Sequence, residues 1–171
     1  MATVVVLDGT SSSGKTTIAR AFQELMLPRV FLNFSIDSVL YTLPPSLVAA
    51  LERGARPPLP PLIPAFYACV RELASLGHDL VIDHAITSAA EADMLLTAVS
   101  SHRTVLVAVD CSLDVLAERE RTRGNRRVGM AAAQHARMHR WLEYDVRVDT
   151  AAMTAEEAAG RIGASLPTQT P

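Results

Sequence analysis

Residues 9 to 16 read Gly9-Thr10-Ser11-Ser12-Ser13-Gly14-Lys15-Thr16. The spacing G-x-x-x-x-G-K-[ST] is the chemistry of a triphosphate cradle. Backbone N–H groups of residues 10 to 16 can wrap a phosphate, and a helix that starts there adds partial positive charge. In such a loop Lys15 bridges the β- and γ-phosphates and the Thr16 hydroxyl holds Mg²⁺. Gly9 through Thr17 form the expected nucleotide-binding set, and the expected cofactors are ATP and Mg²⁺.

Phosphoryl transfer also needs charge neutralisation and a group facing the acceptor hydroxyl. Arg123, Arg126 and Arg127 stand in Thr122-Arg123-Gly124-Asn125-Arg126-Arg127-Val128-Gly129. That segment reads as a basic lid over the phosphates or as a solvated charged loop. Asp37 follows an apolar run, so it is either an acceptor base or an N-cap for the Ser38-Val39-Leu40 turn. Asp83 and Asp110 each end a strand-like run and compete to hold the magnesium-bound water. His84 follows Asp83 directly. His135 and His139 have an i,i+4 spacing that a metal could use, but no third ligand accompanies them. Trp141 and Tyr144 read as packing residues, and Asp8 as structural.

The elements that must position these groups alternate. Thr3–Asp8 is a β-branched apolar run and reads as a buried strand that feeds the loop. Ile18, Phe22 and Leu25 lie on one face of the helix that follows. Further strands are expected at 30–34, 79–83, 104–109 and 144–148, and helices at 63–76, 88–100, 113–121 and 129–142. Ser88…Glu91 and Thr154…Glu157 have the spacing of capping boxes. This alternation predicts an α/β, three-layer fold with a five-stranded parallel sheet. Residues 43 to 64 hold seven of the ten prolines. So long a connection suggests a substrate-side wall over a pocket, with a rigid surface connection as the alternative.

The chain has 171 residues, enough for one domain over 1–171. Its net charge of −2 offers no field for a polynucleotide, so no nucleic-acid partner is expected. No apolar run approaches the ~20 residues of a membrane span, so no membrane partner is expected. The N-terminus shows no signal-peptide pattern. Cys69 and Cys111 have no metal or redox spacing and read as buried free thiols, which fits a reducing cytoplasm. Self-association stays open.

With these residues placed, the chain resembles the chloramphenicol phosphotransferases, small P-loop antibiotic kinases. The likeness rests on the phosphate loop, Phe34-Ser35-Ile36-Asp37-Ser38 and Val81-Ile82-Asp83. It is densest from Arg121 through Val128-Gly129-Met130 to Gln134, and Glu143–Val146 and Val148-Asp149-Thr150 complete it. It is weak from Leu40 to about Tyr67. The resemblance implies a nucleoside-monophosphate-kinase-like sheet. It also implies Asp37 as the base facing the acceptor, and Arg123 and Arg126 on the nucleotide phosphates. The expected activity is ATP-dependent phosphorylation of a hydroxyl on a small, partly apolar molecule, of the antibiotic-resistance type. The alternatives are a metabolic kinase of the shikimate or gluconate type and a nucleotide-binding switch with little turnover.

Overall fold

A computed structural model describes residues 1–123 and 129–166. The element order is β1 (Thr3–Asp8), α1 (Lys15–Met26), β2 (Phe31–Ser35), α2 (Ile36–Leu40), α3 (Pro45–Glu52) and α4 (Leu62–Ser75). It continues with β3 (Asp79–His84), α5 (Ala89–Val99), β4 (Arg103–Asp110), α6 (Leu113–Arg123), α7 (Met130–His135), β5 (Val146–Asp149) and α8 (Ala155–Ser165). The strands form one sheet in the order β2-β3-β1-β4-β5. Every pairing is parallel, with Val5 opposite Val81 and Val105. All five strands therefore end at the same edge, and β1 brings the phosphate loop to its middle.

β1 is buried throughout, which is why its residues are apolar and β-branched on both faces. Its alternation feeds two cores. Val5 and Leu7 pack with Ile18 and Phe22 of α1 and Ile162 of α8. Val4 and Val6 pack with Phe66 and Val70 of α4 and Leu95 of α5. The expected N-caps open α5 and α8: Ser88 Oγ accepts from Glu91 N, and Thr154 Oγ1 from Glu157 N. Only α8 completes the capping box, with Glu157 accepting from Thr154 N, whereas the Glu91 carboxylate turns to Thr87 N.

Several expectations are corrected. The expected helix over 129–142 is only α7, which ends at His135; beyond it the chain turns, and His139 takes a left-handed φ of 57° that no continuing helix allows. The proline-rich stretch contains α3, with Pro45 at a first-turn position where its missing N–H costs nothing. Of residues 43 to 64, only Ile63 lines the main cleft. The last strand starts at Val146 and not at Tyr144. Leu25, Trp141 and Cys69 are exposed, while Cys111 is buried. Among the described residues no helix is long and apolar enough to cross a membrane.

Candidate active site

The loop between β1 and α1 borders a cleft of about 900 Å³ at the C-terminal edge of the sheet. Such a volume holds a nucleotide and a small acceptor together. The loop's shape needs its glycines. At Gly9 a Cβ would lie 2.6 Å from the Val109 carbonyl oxygen, so the loop leaves the sheet only through glycine. Gly14 caps α1 with a φ of 94°, a conformation unfavourable for other residues. Lys15 is buried. Its ammonium donates to the carbonyls of Gly9 (2.9 Å) and Thr10 (2.7 Å) and lies 3.6 Å from Asp83 Oδ1.

The Thr16 hydroxyl donates to Asp83 Oδ2 at 2.7 Å. Asp83 thus reaches both Lys15 and Thr16, the residues expected to meet phosphate and metal. Asp110, its competitor, turns to His139 Nδ1 (3.1 Å) and Arg147 Nη1 (3.3 Å). Magnesium takes one or two protein oxygens and completes its shell with water and phosphate. The Thr16–Asp83 pair of hard oxygen donors fits that demand. Among the described residues no cluster of three or more His, Cys, Asp or Glu could hold a metal by itself. His135 and His139 are separated by the end of α7, so their sequence spacing is not a helical one.

Asp37 lines the same cleft as Lys15, Thr16 and Asp83. It sits in the first turn of α2, and Ser35 takes the N-cap position, with its N–H bonded to Ser38 Oγ at 3.2 Å. The capping alternative for Asp37 therefore falls. Arg123 is the last residue of α6. Arg126 and Arg127 lie outside the described residues, as does most of the basic segment at 122–129.

His84 is buried against Phe66 and Tyr67, with ring centroids 5.4 and 5.7 Å away. Burial lowers its pKa, while Glu91, Asp83 and Asp37 oppose that shift. Neither ring nitrogen has a hydrogen-bond partner among the described residues. Asp8, beneath the loop, accepts from Ile86 N (2.8 Å) and the Tyr144 hydroxyl (2.5 Å). Burial raises the Asp8 pKa, with those hydrogen bonds acting the other way. Its structural reading stands.

Sequence reasoning missed Gln134, Arg119 and Thr150, each bonded to the phosphate loop from far along the chain. Gln134 and Thr150 fall in stretches that carried the family likeness, but nothing local disclosed their partners.

A parallel sheet with a Walker-type loop after its central strand, a lysine and a threonine–aspartate pair at the loop's end, and an adjoining cleft define an ATP-dependent phosphotransferase of the P-loop kinase class. A family model described as chloramphenicol phosphotransferase-like protein matches residues 2–167, and the chain belongs to that family. A protein named as a candidate O-phosphotransferase in two Mycobacterium tuberculosis strains, CDC 1551 / Oshkosh and H37Rv, is 29% identical over 177 residues. That match covers 91% of this chain and 78% of the relative. Among solved structures, a gluconokinase from Sinorhizobium meliloti 1021 superposes with a TM-score of 0.70 at 21% identity, covering 95% and 90% of the two chains. The Mycobacterium tuberculosis APS kinase in complex with AMPPNP and APS gives 0.69 at 16% identity, covering 96% of each chain. These likenesses establish a shared kinase fold.

Proposed function

We propose that the protein is a cytoplasmic kinase that moves the γ-phosphoryl group of ATP to a hydroxyl of a small, partly apolar, uncharged acceptor of the antibiotic type. The observation that carries this reading is the composition of the cleft beside the loop. Ile36, Ile63 and Ala85 supply apolar wall, and Asp37, Asp83 and Glu91 supply carboxylates. Lys15 and Arg119 are the cations among the described lining residues, and both are bonded to the loop. Among the described lining residues an anionic acceptor such as gluconate or shikimate finds no cation outside the loop's own contacts, which disfavours a metabolic kinase of that type. A nucleotide switch needs no acceptor base, which disfavours that class.

In this reading Asp37 takes the acceptor's proton as its oxygen bonds to the γ-phosphorus. The bond to the β–γ bridging oxygen breaks, and ADP leaves with the electron pair. Lys15 and the loop amides hold the charge that develops on the phosphate oxygens. Thr16 and Asp83 would hold Mg²⁺, which supplies further neutralisation of that charge. Arg123 and Arg126 are proposed to act on the same phosphates.

The test is acceptor-dependent ADP release over a panel that sets chloramphenicol and other neutral hydroxylated antibiotics against gluconate and shikimate. Stimulation by neutral members is the expected result. Stimulation by the anionic hydroxy acids alone would overturn the acceptor class. Nucleotide binding with no stimulation by any alcohol would favour a switch.

A further inference from the structure

Three consecutive residues of the phosphate loop are gripped from outside the loop. Gln134 of α7 accepts the Ser11 N–H through Oε1 at 2.7 Å. Arg119 of α6 donates through Nη1 to the Ser12 carbonyl at 3.4 Å. Thr150, one residue past β5, donates its hydroxyl to the Ser13 carbonyl at 2.7 Å. The last two grips are joined. Arg119 Nη1 donates to Thr150 Oγ1 at 3.0 Å, and Nη2 donates to the Thr150 carbonyl at 2.8 Å. The Thr150 hydroxyl therefore serves as donor and acceptor at once. Its backbone N–H is fixed to the Asp110 carbonyl at 3.0 Å, which ties the assembly to the end of β4.

The gripped segment takes a backbone shape that is costly for a residue with a side chain. Ser12 has a φ of 64°, left-handed for a residue with a side chain. Gly14 follows at 94°, and the Thr150 methyl lies 3.5 Å from where a Cβ on Gly14 would stand. A short serine-rich loop free to sample many conformations must be ordered when ligand binds, which weakens affinity. Side chains that order it beforehand remove that cost from binding.

We propose that Gln134, Arg119 and Thr150 preset the phosphate loop for nucleotide, with the Thr150 hydroxyl as the central positioning group. The inference rests on the reading of this loop as the nucleotide site.

Thr150→Val keeps the shape and removes the hydroxyl, and Thr150→Ser restores it. Calorimetric titration of Mg-ADP into the full chain compares both with wild type. Valine is expected to weaken binding about 10-fold, equivalent to ~1.4 kcal/mol, because two hydrogen bonds go with one oxygen. Serine is expected to bind close to wild type. Gln134→Met, which loses only the grip on Ser11, is expected to weaken binding by a few-fold and decides the matter if the valine variant does not fold. Wild-type affinity in the folded valine and methionine variants would overturn the proposal, even with lowered melting temperatures, since the residues would then be merely structural. A serine variant as weak as valine would overturn the role of the hydroxyl. Failure of wild type itself to bind Mg-ADP would overturn the nucleotide-site reading, and the wild-type titration alone reveals that.

Discussion

Replacing Gly9 by alanine tests how tightly the phosphate loop is seated on the sheet. The added Cβ would stand 2.6 Å from the Val109 carbonyl oxygen, 2.8 Å from Ser13 Oγ and 3.1 Å from Val109 Cβ. The first contact falls roughly 0.8 Å short of ordinary van der Waals distance. Ser13 Oγ can rotate aside, but Val109 cannot. It sits inside β4, opposite Val148 of β5, in a sheet paired on both sides. The loop must give instead, and with it the amides that face the phosphates. Forcing extra volume into a packed site typically costs ~1–3 kcal/mol. In a chain of this size each kcal/mol lowers the melting temperature by about 2–4 °C. A misplacement of about 1 Å in a positioning element can cost ~10²-fold in turnover. Gly9→Ala should therefore melt several degrees lower and lose about two decades of ATP-dependent kcat/KM. Gly160→Ala in α8 is the control. Nothing lies within 4 Å of its added Cβ, so it should gain up to about 1 kcal/mol of helix propensity and keep its activity. Thermal melts beside steady-state kinetics of both variants decide the point. A Gly9→Ala protein with wild-type melting temperature and turnover would refute the seating argument.

Asp37→Asn should lower acceptor-dependent kcat by ~10²–10⁴-fold, toward the lower end for a loose transition state, and leave nucleotide affinity unchanged. Retained kcat would remove Asp37 from the chemistry. Asp83→Ala deprives the Thr16 hydroxyl of its acceptor, so the Mg²⁺ concentration for half-maximal activity should rise by about 10–100-fold; a magnesium titration that superposes on wild type would assign the metal elsewhere. Asp8 gives a pH test. Its folded pKa is raised by burial, so the folded state binds the proton more readily than the unfolded chain does. Its contribution to stability falls as pH rises from the ordinary carboxylate value of 3.8 through the raised one. Asp8→Asn removes that fall, so the stability of the variant relative to wild type, from urea melts, should be more favourable at pH 7 than at acid pH. The opposite trend would contradict the burial argument.

The parts of the fold that were legible in the sequence are those governed by local rules. β1 announced itself because burial on both faces demands an unbroken apolar run, and α5 and α8 because their capping residues lie three apart. The phosphate loop was legible for the same reason, since its glycines and lysine act within eight residues. Where a distant partner decides, the pattern failed. His139 ends the helical run in a turn whose ring contacts the Asp8 carbonyl and Asp110, neither visible from its own neighbourhood. Which of Asp83 and Asp110 meets the Thr16 hydroxyl needed the strand order, which places β3 and β4 on opposite sides of β1. Glu120 is a further case. It is buried, and its carboxylate receives the N–H groups of Gly129 and Ala131, yet it sits in a charged run that reads as surface. In α3 propensity outweighed proline content, because Pro44 is the N-cap and Pro45 the first helical residue, where neither interrupts the hydrogen-bond ladder.

The division of the molecule by its sheet also says something about descent. The Ile36 and Ile63 side chains that border the cleft pack onto the core shared by α4 and α5, whereas the helix behind the phosphate loop rests on the core shared with α8. Drift among residues such as Phe34, Phe66 and Leu95 reshapes the wall against which an acceptor lies and does not touch the seat of α1. Under the proposed activity, a duplicated gene selected on a new acceptor can thus explore one hemisphere of the protein while the other stays bound to the common demands of the nucleotide. Lineages descended from such a chain should diverge unevenly, with the first helix and the last changing slowly and the fourth and fifth carrying the record of the acceptor each lineage came to bind.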